Sequence, residues 1–373
     1  MSKKSFLGWG SALLLGLSAS SWAAEPLRVV TSFSILQDMT EQVGGERVQV
    51  TSLVGPNQDA HVYQPRPSDS RALAQADLVI MNGLYFEGWI TRLLEASGYQ
   101  GPLVSAAEQI QVIAYAEEEA ASGHDHGHSH NHSHNHDHGH SHSHSHSHDH
   151  GHSHNHGHSH DHGHSHNHSH NHNHSHSHDH GHGHNHSHNH SHDHHDHGEY
   201  DPHAWQSLRQ GQQYVIAIRD ALQQLDPEHA DFYQQRAAAY LAELERVHQQ
   251  YVAAFAALPA ERRRGLTDHD AFGYLARDYD VTLLAAQGLS TSAEPSAAGI
   301  ARLVRQIREQ QISAIFVENI GDGRLIDQLR REGNIHFGGT LYSDALDSEG
   351  PASTYLGMMQ HNLETLLQAF QPR

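Results

Sequence analysis

Three histidines of this sequence lie in short polar and aromatic segments that could form a metal site. They are His61, His203 and His269, within Asn57–Asp69, Asp201–Trp205 and Thr267–Tyr274. Each follows a predicted strand or loop and precedes a helix or an aromatic residue. Loops that leave the carboxyl ends of strands in α/β sheets converge on a crevice where ligands bind. Because imidazole nitrogens bind zinc and related divalent ions, the three segments together predict a metal site.

Four other histidines lie outside the low-complexity part of the chain. His229, His248 and His361 occur in polar, helical contexts, and we expect them on the surface. His336 precedes a predicted strand, and the sequence leaves its role open.

A histidine-rich tract separates the first two candidate segments. Histidine occupies every even position from 124 to 194 and also positions 195 and 197, with Ser, Asn, Gly or Asp between. Such a composition cannot bury a core, so we predict that residues 120–199 form a disordered loop. Alternate residues of an extended chain point the same way, so neighbouring histidines could share one ion. We expect the loop to gather or sense metal, with a storage buffer as the alternative.

Predicted strands and helices alternate on both sides of this tract. The pattern predicts mainly parallel sheets flanked by helices. Apolar residues at helical spacing predict one long helix over residues 227–258. We therefore predict an α/β protein of two lobes joined by that helix, with the metal site in the interlobe cleft. The predicted parts are a signal peptide (1–23), an N-terminal lobe (24–226), the linker helix (227–258) and a C-terminal lobe (259–373).

The N-terminus and the composition predict an exported, periplasmic protein. A basic start, a short apolar run and Ser21-Trp22-Ala23 are typical of a signal peptide, and the apolar run is too short to span a bilayer comfortably. The chain has no cysteine, which excludes disulfides, thiolate ligands and a lipid anchor. Its formal charge of −21 argues against nucleic acid as a partner.

Four segments in order resemble one known family, the cluster A-I solute-binding proteins of metal ABC importers. His61–Asp69 resembles the family's His-x-Tyr-x-Pro-x-Pro-Ser-Asp stretch, and Asp201–Trp205 resembles its Asp-Pro-His-x-Trp stretch. His269–Tyr274 resembles its His-x-Ala-Phe-Gly-Tyr stretch. Leu341–Asp344, followed by Thr354–Asn362, resembles the region that supplies the fourth ligand. The resemblance covers nearly all of the chain except the signal peptide and the histidine tract.

The resemblance implies that His61, His203, His269 and Asp344 bind the metal. Some zinc members use a Glu directly before the first histidine, but this chain has Ala60 there, which favours Asp344. Asp59 and the tract histidines are the alternatives. Manganese members carry a Glu at the third position, where this chain has His269. Three imidazoles and one carboxylate therefore favour Zn²⁺ of the ZnuA-type branch.

The resemblance further implies a receptor that delivers Zn²⁺ to an ABC transporter permease. We expect a monomer and no enzymatic activity, because four protein ligands leave no open position for a catalytic water. A separate periplasmic zinc chaperone is a further possible partner. Three alternatives remain open: a secreted zinc buffer or chaperone, a manganese receptor of the same family and a zinc enzyme.

Overall fold

The computed structural model describes residues 25–115, 198–287, 297–321 and 323–371. The predicted signal peptide and the histidine positions 124–197 lie outside these residues. The predictions made for those two segments therefore stay predictions.

The first lobe contains a sheet of four parallel strands. These are β1 (Leu27–Phe33), β2 (Val48–Val54), β3 (Leu78–Met81) and β4 (Leu103–Ser105), lying side by side in the order β2-β1-β3-β4. Three helices alternate with them: α1 (Ser34–Gly44), α2 (Pro67–Ala74) and α3 (Ile90–Ser97). Leu78, Val79 and Ile80 are consecutive and fully buried, as expected for a strand covered on both faces. After α1 the chain turns at Gly45, whose φ of 51° suits glycine.

Two helices follow the first lobe in the sequence. They are α4 (Leu208–Leu225) and α5 (Ala230–Ala256), and they pack against each other. With 27 residues, α5 is about 40 Å long. The sequence predicts one helix from residue 227, but Pro227–His229 forms a separate 3-10 turn, closed by a 3.1 Å hydrogen bond from His229 N to Asp226 O.

One face of α5 is buried along its whole length. The buried side chains recur every three or four residues, which is the spacing of one helix face: Tyr233, Ala237, Tyr240, Leu244, Val247, Tyr251 and Phe255. The expectation that His248 lies on the surface is wrong. This residue is only 7% exposed, and its Nδ1 lies 3.2 Å from the Tyr279 hydroxyl. Burial lowers the pKa of His248.

The second lobe repeats the strand order of the first. Its parallel strands are β5 (Arg264–Thr267), β6 (Thr282–Ala285), β7 (Ala314–Glu318) and β8 (His336–Leu341), in the order β6-β5-β7-β8. Its helices are α6 (Gly273–Tyr279), α7 (Ala297–Glu309), α8 (Arg324–Gly333) and α9 (Tyr355–Phe370). The ambiguous His336 is the first residue of β8. The prediction of two parallel, helix-flanked sheets is confirmed.

Buried polar contacts join the two lobes in addition to α5. Trp205 Nε1 donates to Ser343 O at 2.8 Å, and the Tyr355 hydroxyl donates to Trp205 O at 2.7 Å. Tyr355 N also donates to a carboxylate oxygen of Asp38 at 2.8 Å. All four side chains are buried. The lobes therefore share one packed core beneath the candidate site.

Candidate metal site

Four side chains from both lobes meet at the carboxyl ends of the strands. His61 follows β2, His269 follows β5, Asp344 follows β8, and His203 directly precedes the 3-10 turn Ala204–Gln206. One potential ligand atom from each residue lies within 4.8 Å of all the others. Within the described part of the chain, no other group of three or more His, Asp or Glu residues meets this condition. The structure thus brings together the four residues that the sequence suggested.

The distances between these atoms suit a small ion with four ligands. His61 Nε2 lies 3.3 Å from His203 Nε2 and 3.1 Å from Asp344 Oδ2. His269 Nε2 lies 3.3 Å from the same Asp344 oxygen, and His203 Nε2 lies 3.7 Å from Oδ1. A tetrahedral ion with bonds of ~2.0–2.1 Å separates its ligands by about 3.3–3.4 Å. Three of these atom pairs, at 3.1–3.3 Å, are close to that spacing, and the four residues each place a potential ligand atom within 4.8 Å of the others.

The site holds buried polar atoms that lack hydrogen bonds. Both carboxylate oxygens of Asp344 and Nε2 of His269 are buried and make no well-aligned hydrogen bond among the described residues; the close contacts of Asp344 Oδ2 are with the candidate imidazoles of His61 and His269. The side chains of His203, His269 and Asp344 are at most 1% exposed, whereas that of His61 is 12% exposed. Leaving such groups unpaired costs free energy, which a bound cation would offset.

The charges in the site favour an ionised carboxylate. Burial alone would raise the pKa of Asp344, but the imidazoles of His269 and His203 outweigh it and hold that pKa well below its usual value. Burial alone would lower the pKa of His269, but Glu318 and Asp344 outweigh it and raise that pKa well above its usual value. Asp344 is thus an anionic donor, and the raised pKa of His269 means that this imidazole must lose a proton before its Nε2 can bind a metal.

Two buried carboxylates orient the imidazoles. Asp201 Oδ1 lies 2.8 Å from Nδ1 of His203 and accepts its backbone N–H at 2.9 Å. Glu318 Oε2 lies 2.6 Å from Nδ1 of His269, while Oε1 accepts that residue's backbone N–H at 2.9 Å. A carboxylate at Nδ1 favours the tautomer in which Nε2 is free to bind a metal. In each case Nε2 is the nitrogen that faces the other ligands.

The residues just before His61 have structural roles. Asp59, an alternative fourth ligand, accepts the backbone N–H of His61 at 2.8 Å and is not part of the four-residue cluster. Ala60 is fully buried, and its carbonyl oxygen accepts a 2.8 Å hydrogen bond from Trp89 Nε1. These bonds fix the backbone that carries His61.

The sequence did not reveal that the aromatic ring of Phe86 lies beside two of the candidate ligands. The ring of Phe86 lies 4.8 Å from that of His61 and 5.9 Å from that of His203, centroid to centroid. The next residue, Glu87, is buried and accepts hydrogen bonds from Ser32 Oγ and Asn82 N, both at 2.6 Å. This loop could have been identified as part of the site from its position directly after β3, at the same sheet edge as His61.

The other histidines lie outside the four-residue cluster. His361 Nε2 is 3.0 Å from Thr340 O, and His229 Nδ1 is 2.8 Å from a carboxylate oxygen of Asp226. These contacts belong to α9 and to the turn before α5. Among the described residues, no helix is long and apolar enough to cross a membrane.

The relatives of this chain carry names that specify manganese, zinc or iron. The chain is 26% identical to a manganese ABC transporter substrate-binding lipoprotein, PsaA, of Streptococcus pneumoniae, over 96% of this chain and 95% of that protein. It is 25% identical to the zinc-binding protein TroA of Treponema pallidum, over 91% and 88% of the two chains. It is 24% identical to the iron-binding protein YfeA of Yersinia pestis, over 96% and 91%.

Solved structures share the fold. The periplasmic zinc-binding protein TroA of Treponema pallidum superposes with a TM-score of 0.68 at 24% identity, covering 93% of this chain and 100% of that one. A manganese-bound periplasmic metal-binding protein of Candidatus Liberibacter asiaticus gives a TM-score of 0.65 at 23% identity, covering 92% and 100%. A family model described as zinc-uptake complex component A, periplasmic, matches residues 29–369, and the chain therefore belongs to this ZnuA family of metal-binding receptors for ABC transporters.

Proposed function

We propose that this protein binds one Zn²⁺ ion between its lobes and delivers it to the permease of an ABC transporter. The observation that carries the proposal is the convergence of three imidazoles and one buried carboxylate within 4.8 Å, with three of the atom pairs 3.1–3.3 Å apart. In this proposal His61, His203, His269 and Asp344 are the ligands. The ion is cargo, because four protein ligands close the coordination sphere against a catalytic water.

Manganese is the second candidate, and the manganese-binding names of several relatives favour it. Manganese prefers more oxygen ligands than zinc and suits octahedral sites. Here Asp344 is the one oxygen donor in a group of four residues. The choice of donors therefore supports zinc over manganese, while copper and nickel would also bind such a site.

The remaining parts of the proposal concern the location and the partners of the receptor. We propose that it works as a periplasmic monomer and that the histidine-rich tract gathers or senses further zinc near the site. Affinity in such a tract should be lower than in the folded site, because binding must order the chain. A separate zinc chaperone is an optional source of the ion.

A competitive titration at neutral pH tests the site and the metal together. The protein would be a variant without residues 124–197, titrated with Zn²⁺ and then with Mn²⁺ against a chelator of known affinity. We expect one tight zinc site that the triple change of His61, His203 and His269 to Ala abolishes. The matched control changes His229 and His361 to Ala and should keep the site. Weak zinc binding, or tighter manganese binding, would contradict the proposal.

A further inference from the structure

Asn57 joins the loop that carries His61 to the opposite lobe. It lies in the β2–α2 loop, four residues before His61, and its backbone is left-handed with φ of 54°. Few residues other than glycine adopt this conformation readily, and asparagine is one of them. The residue is exposed.

Three hydrogen bonds connect Asn57 with the second lobe. Its backbone N–H donates to Leu346 O at 2.9 Å, and its side-chain Nδ2 donates to Asp347 Oδ1 at 2.9 Å. Its side-chain Oδ1 accepts from Asn319 Nδ2 at 3.1 Å. The backbone N–H and both polar atoms of the side chain therefore bond across the lobe boundary.

One hydrogen-bond partner of Asn57, Asn319, contacts the residues on either side of Asp344. Asn319 follows Glu318, the residue that orients His269. It donates to Ala345 O at 3.1 Å and accepts from Ser343 N at 3.4 Å, so it holds both neighbours of Asp344. Leu346 N also donates to Ser34 Oγ of the first lobe at 3.0 Å. Asn57 thus connects the loop that carries His61 to Asn319, which in turn holds the loop that carries Asp344.

We propose that Asn57 is an interlobe clasp, a positioning residue whose side chain slows the release of the metal. An ion held by His61 and Asp344 would join both loops, and its release would be eased when these two residues move apart. His61 is the least buried of the four proposed ligands, so we expect the ion to leave on the side of the site where His61 lies. Moving that loop away breaks the Asn57 bonds. The inference rests on the proposed metal site but adds a residue that does not touch the ion.

The first test compares zinc release from the full mature chain and from Asn57→Gly. Glycine keeps the left-handed backbone and the N–H bond to Leu346 but removes both side-chain bonds. Asn334→Gly is the matched control, because Asn334 is also exposed and left-handed, with φ of 51°, and it caps the end of α8. Each protein is loaded with one equivalent of Zn²⁺ and mixed rapidly with excess chelator. We expect release about tenfold faster for Asn57→Gly, equivalent to about 1.4 kcal/mol, and an unchanged rate for the control.

A second pair of variants separates a clasp from a general structural role. Asn57→Asp places a carboxylate against that of Asp347 and should speed release at least as much as the glycine variant. Combining it with Asp347→Asn restores a donor opposite an acceptor, so release should slow again toward the wild-type rate. A residue that only supports its own loop would show no such rescue.

The outcomes distinguish the clasp from the metal site itself. If the wild-type protein shows no slow release phase, the proposed function fails. If the wild type releases zinc slowly and Asn57→Gly releases it at the same rate, the clasp is wrong while the metal site stands. Equal acceleration by Asn334→Gly, or no rescue in the double variant, would also overturn the clasp.

Discussion

Changing Glu318 to Gln should weaken metal binding although Glu318 is not a proposed ligand. The carboxylate is 3% exposed, and one oxygen lies 2.6 Å from Nδ1 of His269. An amide can donate its N–H to Nδ1 instead, which leaves the ring proton on Nε2. That nitrogen is then blocked for the metal. The amide also removes the negative charge that balances a bound cation.

The expected loss of zinc affinity follows from the contact between Glu318 and His269 that the variant loses. Removing such a carboxylate partner typically costs about 10–100-fold in metal affinity. Because this contact is short and fully buried, we expect the upper end, about 100-fold or about 2.7 kcal/mol. The assay is a competitive Zn²⁺ titration of the variant without residues 124–197, with Glu318→Gln added.

A matched control removes a different buried carboxylate. Glu87 is 4% exposed, and its hydrogen bonds come from Ser32, Asn82 and Gly83 rather than from a ligand histidine. We expect Glu87→Gln to change zinc affinity by less than about threefold, well below the expected loss in Glu318→Gln. Wild-type affinity in Glu318→Gln would refute the reasoning that this carboxylate sets the tautomer of His269.

Three further predictions concern pH and the lobe boundary. Zinc affinity should fall steadily as the pH drops from 7.5 to 5.5, because protons compete with the metal for the imidazoles, and the raised pKa of His269 makes this loss begin above the ordinary imidazole pKa of about 6.5. A flat profile in competitive titrations would contradict imidazole ligation. Hydrogen bonds from Asn57 and Tyr342 lower the pKa of Asp347 to about 2. The ionised carboxylate stabilises the fold at pH values above the pKa of about 3.9 that Asp has in the unfolded chain, and this stabilisation is lost as the pH falls toward 2. The difference in urea midpoint between wild type and Asp347→Asn should therefore be constant from pH 7 to 5 and shrink below about pH 4. A difference that does not vary with pH would refute this assignment. Trp205→Phe removes the buried bond to Ser343 O and should lower the free energy of unfolding by about 1–3 kcal/mol in urea titrations, with no loss as the contradicting result.

The ligand candidates could be predicted because three histidine segments of one kind occur together. The alternation of strands and helices indicates which loops share a sheet edge, so the three histidines could be expected to converge. The long, regular elements followed from apolar spacing.

The parts that the sequence did not reveal depend on contacts between distant residues. Asn57 and Asn319 are 262 positions apart, and neither is distinctive by type. Phe86 looks like any core aromatic until its ring is placed beside His61. His248 was misjudged by its polar residue type, although it lies four residues after Leu244 and three before Tyr251, on the buried face of α5 that contacts Tyr279 of α6.

A zinc-loaded crystal structure with anomalous diffraction at the zinc edge tests the central claim most directly. The account predicts one strong peak at ~2.0–2.1 Å from Nε2 of His61, His203 and His269 and at a similar distance from a carboxylate oxygen of Asp344. A peak that lacks any of these four contacts, or an ion surrounded mainly by water and other oxygens, would contradict it.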